Sequence, residues 1–259
     1  VAAPIVTLAT DFGAGSGYPA QMKGVLLRLL PEVRLVDLSH EIPAYDVLAG
    51  ALLLEACVRW FPEHAVHVAV VDPGVGTARR ALAVSDASGR RLVGPDNGLL
   101  TAFLAGARVH AIEPGRAVPA PASATFHGRD LFAPAAAHLA GGGDLEALGP
   151  PVADPVRLAW PGARRRGREL AGTTLAADPF GNLLTSVGTA DLEGQPVVSA
   201  SLDGRPLRWV RTFAEGEPGE LVAYLGSGGR VEVAVREGSA AAALGGARGH
   251  EVRVVLAPR

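Results

Sequence analysis

Residues 65–79 read AVHVAVVDPGVGTAR. A β-branched run from Ala65 to Val71 ends on Asp72, the chain turns at Pro73-Gly74, and Arg79 follows. Other runs in the first half end the same way: PIVTLAT runs into Asp11, RLV into Asp37, and RLVG into Pro95-Asp96. Longer stretches lie between them, such as Ala44 to Trp60, where Val47, Ala51, Leu54 and Val58 recur at helical spacing. Strands at Ile5–Ala9, Val33–Val36, Ala65–Val71, Ala81–Ser85 and Leu92–Val93 therefore alternate with helices at Ala20–Leu30, Ala44–Trp60, Gly98–Leu104 and Leu131–Ala140. This alternation predicts an α/β domain whose mostly parallel sheet is covered by helices.

The texture changes at GPPVADPVRLAWPGARRRGREL, where prolines, glycines and the run Arg164–Arg166 interrupt the pattern. A boundary is placed at about residue 160, giving domains 1–160 and 161–259. Beyond it the runs TTLAAD, NLLTSV, PVVSASLDG, LRWVRTF, ELVAYLG, RVEVAV and HEVRVVLA are short and separated by turn residues. They predict a smaller β-rich domain, an antiparallel barrel or sandwich. Arg164–Arg166 reads as a solvated linker.

With 48% hydrophobic and 19% charged residues in 259, the chain can bury a large core, which excludes disorder. A net charge of -2 gives no pull toward nucleic acid or an anionic membrane. The best candidate for a membrane span, VLAGALLLEACVRWF, is broken by Glu55 and Arg59 and falls short of ~18 apolar residues. One cysteine, Cys57, and an opening VAAPIVTLATDFG without a charged n-region or cleavage site point to the cytoplasm.

Ligands of an open parallel sheet bind beyond the carboxyl ends of its strands, so the recurring strand-end acids mark a candidate site. Asp11 opens TDFGAGSGYPAQMKG, a glycine-rich turn that matches neither a dinucleotide fingerprint nor a P-loop. An ionised carboxylate there has only acceptors and suits a ribose diol, which offers two donors. Asp96 reads as a helix cap ahead of Gly98, and Asp37 stays open. Asp72, Arg79 and His127, the last in TFHGRD before a glycine that admits a ligand, together can orient or activate water. His64 and His67 form an HxxH pair without a helix or a third ligand, so no metal site is expected. A metal-dependent phosphohydrolase built on Asp11, Asp72 and Asp96 remains as an alternative.

TDFG at 10–13, VDPGVGT at 71–77, GPDNGLL at 94–100, TFHGRD at 125–130 and DPFGN at 178–182 occur in one order. In that order the chain resembles the S-adenosylmethionine hydroxide adenosyltransferases, adenosine-forming S-adenosylmethionine hydrolases related to fluorinase and chlorinase. The resemblance implies an α/β N-terminal domain, a β-rich C-terminal domain, and homotrimers with active sites between neighbouring subunits. It implies cleavage of S-adenosyl-L-methionine by water to adenosine and L-methionine, with no cofactor; a non-catalytic adenosine- or S-adenosylmethionine-binding protein is the other reading. The water-using branch carries an Asp, an Arg and a His, matched here by Asp72, Arg79 and His127, whereas halogenating relatives have a Tyr in place of the Asp. By the same resemblance Asp11 grips the ribose, Asn182 contacts adenine and Phe213 lines its pocket. Phe126 and Tyr45 lie near the ligand, Ser227 meets the methionine moiety, and Glu232 and the Val235 backbone meet substrate. Asp178 falls in the same motif. Ser16 stands near the position of a fluorinase acid that binds the methionine ammonium.

The reaction so implied is an in-line displacement at the 5' carbon in which a neutral thioether leaves, so no general acid is required and positioning dominates. A nearby Arg79 is expected to lower the pKa of Asp72, which leaves His127 as the proton acceptor near neutrality.

Overall fold

The structure is a computed structural model that describes residues 3–159 and 162–258. The chain divides into two compact units, Val1–Ala159 and Trp160–Arg259.

The first unit is built on a six-stranded sheet of β1 (Ile5–Thr10), β2 (Arg34–Ser39), β3 (Val66–Val70), β4 (Ala81–Ser85), β5 (Arg91–Pro95) and β6 (Arg108–Ala111), in the order β2-β1-β3-β5-β4-β6. β1 pairs in parallel with β2 and β3, and β3 with β5, whereas β4 runs antiparallel to both β5 and β6. Side chains alternate across a strand, so each face needs its own cover. Val6 and Leu8 of β1, with Val66, Val68 and Val70 of β3, pack with Met22, Leu26, Phe132 and Leu139 in one buried cluster. These come from α1 (Tyr18–Leu29), the turn Gly128–Phe132 and α3 (Ala133–Ala140). On the other face α2 (Val47–Cys57) brings Gly50 against Val71, Leu99 and Ile42.

Several boundaries depart from expectation for local reasons. α2 starts at Val47, not Ala44, because the Asp46 side chain accepts the Ala49 N–H as a cap and Tyr45 has φ 65°. Gly98–Leu104 holds only a 3-10 turn, Thr101–Phe103. Asp96 is not its cap: 5% exposed, it takes Arg80 Nε on Oδ2 at 2.7 Å and the Val156 N–H on Oδ1 at 2.7 Å. Asp37 sits inside β2 and pairs with Lys23 at 2.6 Å. β6, unforeseen, is a four-residue edge strand with too few residues to show a period.

The second unit is a closed barrel. β8 (Glu169–Ala177), β9 (Leu183–Gly188), β13 (Arg230–Val235), β12 (Leu221–Leu225), β11 (Arg205–Trp209), β10 (Val197–Leu202) and β14 (Glu251–Leu256) follow one another, and β14 returns to β8. Of the alternatives read from the sequence this is the barrel, with one parallel pair, β11 with β12. Its interior holds Leu170, Leu183, Leu202, Val231, Val233, Val252 and Val254. Arg164–Arg166 is not a linker but β7, an exposed strand paired with β8; an all-charged strand is one way to blunt a sheet edge.

Candidate active site

In the first unit the chain leaves β1 at Asp11 and β3 toward Asp72, so both carboxylates sit at the carboxyl ends of adjacent parallel strands. Beside them lies a cavity of about 280 Å³ lined by Asp11, Phe12, Tyr18, Tyr45, Asp72, Phe126 and His127, among others. Arg79 reaches back over the Pro73-Gly74 turn to clasp Asp72, with Nε 3.1 Å from Oδ1 and Nη2 2.5 Å from Oδ2. Both side chains are nearly buried, 7% and 4% exposed. The guanidinium also donates from Nη1 to the Arg80 carbonyl, lies over the Phe132 ring, and places Nη2 3.1 Å from His127 Nδ1.

That last contact fixes a proton. A guanidinium has hydrogens and no acceptor, so Nδ1 must offer its lone pair and the neutral imidazole carries its hydrogen on Nε2. Burial and the Arg79 charge both hold His127 below the usual histidine range, against the pull of Asp72 and Asp130. In this tautomer His127 presents a donor, where the sequence reading expects a proton acceptor. The expected lowering of Asp72 is corrected. Burial pushes its carboxyl above the ordinary carboxylate range and outweighs the lowering by Arg79.

Local structure explains the placement of His127. It precedes a π-helical turn, Gly128–Phe132, a wide turn often found at functional sites. Gly128 lines the cavity, and packing also requires a glycine there. A Cβ there would meet Met22 Sδ at 3.1 Å and the Phe12 and Phe126 rings at 3.3 Å, so the side on which a side chain would stand is filled by protein.

Asp11 accepts the Tyr45 N–H on Oδ2 at 2.9 Å and, as a carboxylate, keeps acceptor capacity for further donors. Tyr45 is 72% exposed and held at a positive φ, a strain that needs such support. Phe126 joins Phe12 and Tyr18 in an edge-to-face trio with centroids 5.2–5.9 Å apart. Phe12 and Tyr18 were not singled out from the sequence, in which nothing marks them beyond their place in the glycine-rich turn. Ser16 accepts the Tyr18 N–H at 3.3 Å in that turn.

In the second unit Glu232 on β13 faces Tyr224 on β12, and the phenol donates to Oε2 at 2.8 Å. Burial and the Asp178 carboxylate push Glu232 up, while the Tyr224 hydrogen bond pulls it down. A Cβ on Gly226 would fall on the Glu232 carboxylate, so any other residue in the turn before Ser227 would displace that group from its present position. Phe213 is 51% exposed and stands 6.4 Å from the Tyr224 ring. Asn182 donates from Nδ2 to Asp178 Oδ2 at 2.9 Å, and Asp178 Oδ1 takes the Phe180 and Asn182 N–H groups at 2.9 Å. Asp178 thus orients the Asn182 amide. Val235 ends β13. Tyr224 was missed because its role depends on the hairpin register, although a Tyr opposite a Glu across a short turn is a readable pair.

His67 lies within β3, with Nδ1 2.8 Å from Thr7 Oγ1. Among the described residues no three His, Cys, Asp or Glu side chains converge as a metal-ligand set. Asp96, needed by the phosphohydrolase alternative, is taken up by Arg80 and the Val156 amide. Nor is any helix among the described residues long and apolar enough to cross a membrane.

Residues 6–149 match the family description SAM hydroxide adenosyltransferase N-terminal domain, and residues 172–253 its C-terminal counterpart. A protein of Salinispora tropica named (R)-S-adenosyl-L-methionine hydrolase is 44% identical over 257 residues, covering 97% of each chain. One of Thermus thermophilus with the same name is 46% identical over 257 residues, covering 95% of this chain and 97% of its own. A solved structure of a conserved protein from Thermotoga maritima superposes with a TM-score of 0.87 at 31% identity, covering 97% of this chain and 99% of the other.

Proposed function

This chain belongs to the SAM hydroxide adenosyltransferase family, and from that premise we propose that it hydrolyses S-adenosyl-L-methionine to adenosine and L-methionine, with Asp72, Arg79 and His127 acting on the water. The observation that carries the assignment of those residues is the Arg79 guanidinium bound at once to Asp72 and His127 beside a cavity that Asp11 also lines.

Water oxygen bonds to the 5' carbon as the C5'–S bond breaks, and the electron pair of that bond leaves on sulfur as the neutral thioether of methionine. The nucleophile must shed a proton. His127 Nε2–H donates to the water oxygen and aims its second lone pair, while Asp72, made more basic by burial, accepts the proton. Arg79 keeps the two side chains in register and keeps His127 in the donating tautomer. Displacement at a sulfonium by a near-neutral nucleophile gains most from fixed geometry in a site that excludes bulk water.

The remaining assignments follow the chemistry of each group. Asp11 receives the ribose hydroxyls, and Tyr45 and Phe126 flank the nucleoside. Asn182 and Phe213 receive adenine, and the Val235 backbone meets the substrate. Ser227 and Glu232 receive the methionine moiety, where Glu232 offers the ammonium a carboxyl group that Ser16 cannot supply. No cofactor takes part. A homotrimer with sites between neighbouring subunits and a cytoplasmic location complete the proposal, the latter supported by a single cysteine. The first unit acts as the nucleoside-binding domain and the second as its β-rich complement.

The test is incubation of the purified protein with S-adenosyl-L-methionine in halide-free buffer containing EDTA. Adenosine and methionine should form in equal amounts, and Asp72→Ala should abolish both. A folded protein that retains adenosine but gives no product would refute the catalytic reading.

A further inference from the structure

We propose that His40 is a positioning residue for the nucleoside, acting through Thr10 to hold the end of β1 so that the Asp11 carboxylate meets the ribose hydroxyls. The proposal rests on the reading of Asp11 given above.

Two loops leave adjacent parallel strands here, Asp11–Ala14 from β1 and His40–Tyr45 from β2. They are tied side by side: the Gly13 N–H donates to the His40 carbonyl at 2.7 Å, the Ala14 N–H to Glu41 Oε1 at 2.8 Å, and the Tyr45 N–H to Asp11 Oδ2 at 2.9 Å. Beneath them lie two buried polar side chains that the chemistry does not use, Thr10, fully buried, and His40, 6% exposed. Thr10 Oγ1 stands 2.8 Å from His40 Nδ1 and accepts the Phe12 N–H at 3.2 Å. That N–H belongs to the peptide directly after Asp11.

The Thr10 hydroxyl has one hydrogen and two lone pairs, so with Phe12 on one lone pair it still pairs with Nδ1 in either tautomer of the ring. Nε2 lies 3.1 Å from Asp37 Oδ1, at ion-pair distance though outside hydrogen-bond geometry, and Asp37 Oδ2 takes Lys23 Nζ at 2.6 Å. Lys23, Asp37, His40 and Thr10 thus run from α1 through β2 to the backbone at Asp11. The peptide after Asp11 is fixed at its N–H and the carboxylate at Oδ2, leaving the rest of the carboxylate with one orientation. Buried polar lines of this kind are costly when half satisfied, so loss of the imidazole should be felt at Thr10 and in the peptide it holds.

A buried network could also serve stability alone, and the two roles separate on the ribose. Calorimetry would compare adenosine with 2',3'-dideoxyadenosine on the full chain, its Asp11→Asn, His40→Ala, His40→Asn and Thr10→Val variants. Asp11→Asn should weaken adenosine and spare the dideoxy compound. His40→Ala and Thr10→Val should weaken adenosine about tenfold, the scale of one misplaced hydrogen bond to a charged group, leave 2',3'-dideoxyadenosine within about twofold, and raise KM with kcat little changed. His40→Asn, whose amide can stand where Nδ1 stands, should restore most of the loss. If His40→Ala does not fold, the near-isosteric Thr10→Val carries the test. Equal weakening of both ligands, or none, would overturn the positioning role. An Asp11→Asn variant that fails to discriminate the two ligands would overturn the reading of Asp11, and the role of His40 with it.

Discussion

Arg79 Nη2 lies 3.1 Å from His127 Nδ1, and the same guanidinium grips both oxygens of Asp72. One cation therefore sets the tautomer of the histidine and the orientation of the carboxylate. Removing it should harm both. Arg79→Met should lower kcat by about a hundredfold or more, the usual scale for a misoriented acid–base pair. A variant within threefold of the parent would show that the two groups hold their places without it.

If His127 donates from Nε2, a side chain that reproduces only a donor should serve in part. His127→Gln should keep at least about a tenth of the parent kcat, with His127→Ala lower by a further order of magnitude. Equal, near-complete loss in both, together with disappearance of a pH limb near neutrality, would return the role of proton acceptor to His127.

The acid limb of the pH–rate profile should belong to Asp72. It must be ionised to accept a proton, and burial raises it above the ordinary carboxylate range, so activity should fall with decreasing pH through a midpoint above that range. Arg79 opposes that rise, so in any residual activity of Arg79→Met the midpoint should move further up. A downward move would contradict the assignment.

His67 bears on stability rather than on chemistry. Burial, first, and Arg90 lower its pKa from 6.5 to about 4, and its Nδ1 is committed to Thr7. A depressed histidine stabilises the fold fully above the unfolded pKa, and that stabilisation is lost as pH falls from about 6.5 through about 4. Up to about 3 kcal/mol is at stake. Urea melts of the parent should weaken across that window, and His67→Gln should flatten the dependence; an unchanged slope would place the acid sensitivity elsewhere.

Gly226 and Tyr224 define the setting of Glu232. Gly226→Ala should push the carboxylate aside and raise KM for S-adenosyl-L-methionine. Tyr224→Phe, which removes one hydrogen bond to a charged group, should raise KM by about tenfold. Steady-state kinetics that show a kcat defect with unchanged KM in both variants would detach Glu232 from substrate binding.

The sheet and the strand-end acids were legible because apolar runs that stop at Asp11 and Asp72 carry their own geometry: strands point their carboxyl ends, and parallel neighbours bring those ends together. Arg164–Arg166 was misread because an exposed strand paired with β8 outside the closed barrel needs no apolar face to declare it. Asp96 was misread for another reason. A cap and a buried ion pair look alike in sequence, and only Arg80 folding back distinguishes them. Arg79 and His127, 48 residues apart, could be named from a motif, but the lone pair that Nδ1 gives to Nη2 depends on a distance. The balance at Asp72 depends on burial, which the presence of an arginine nearby does not reveal.

The measurement that bears most directly on water attack at the 5' carbon is a turnover experiment in oxygen-18 water, free of halide, with mass spectrometry of both products. Adenosine should carry the heavy oxygen at its 5' position, methionine should carry none, and neither product should form with Asp72→Ala. Unlabelled adenosine, label in methionine, or full activity in Asp72→Ala would contradict the mechanism.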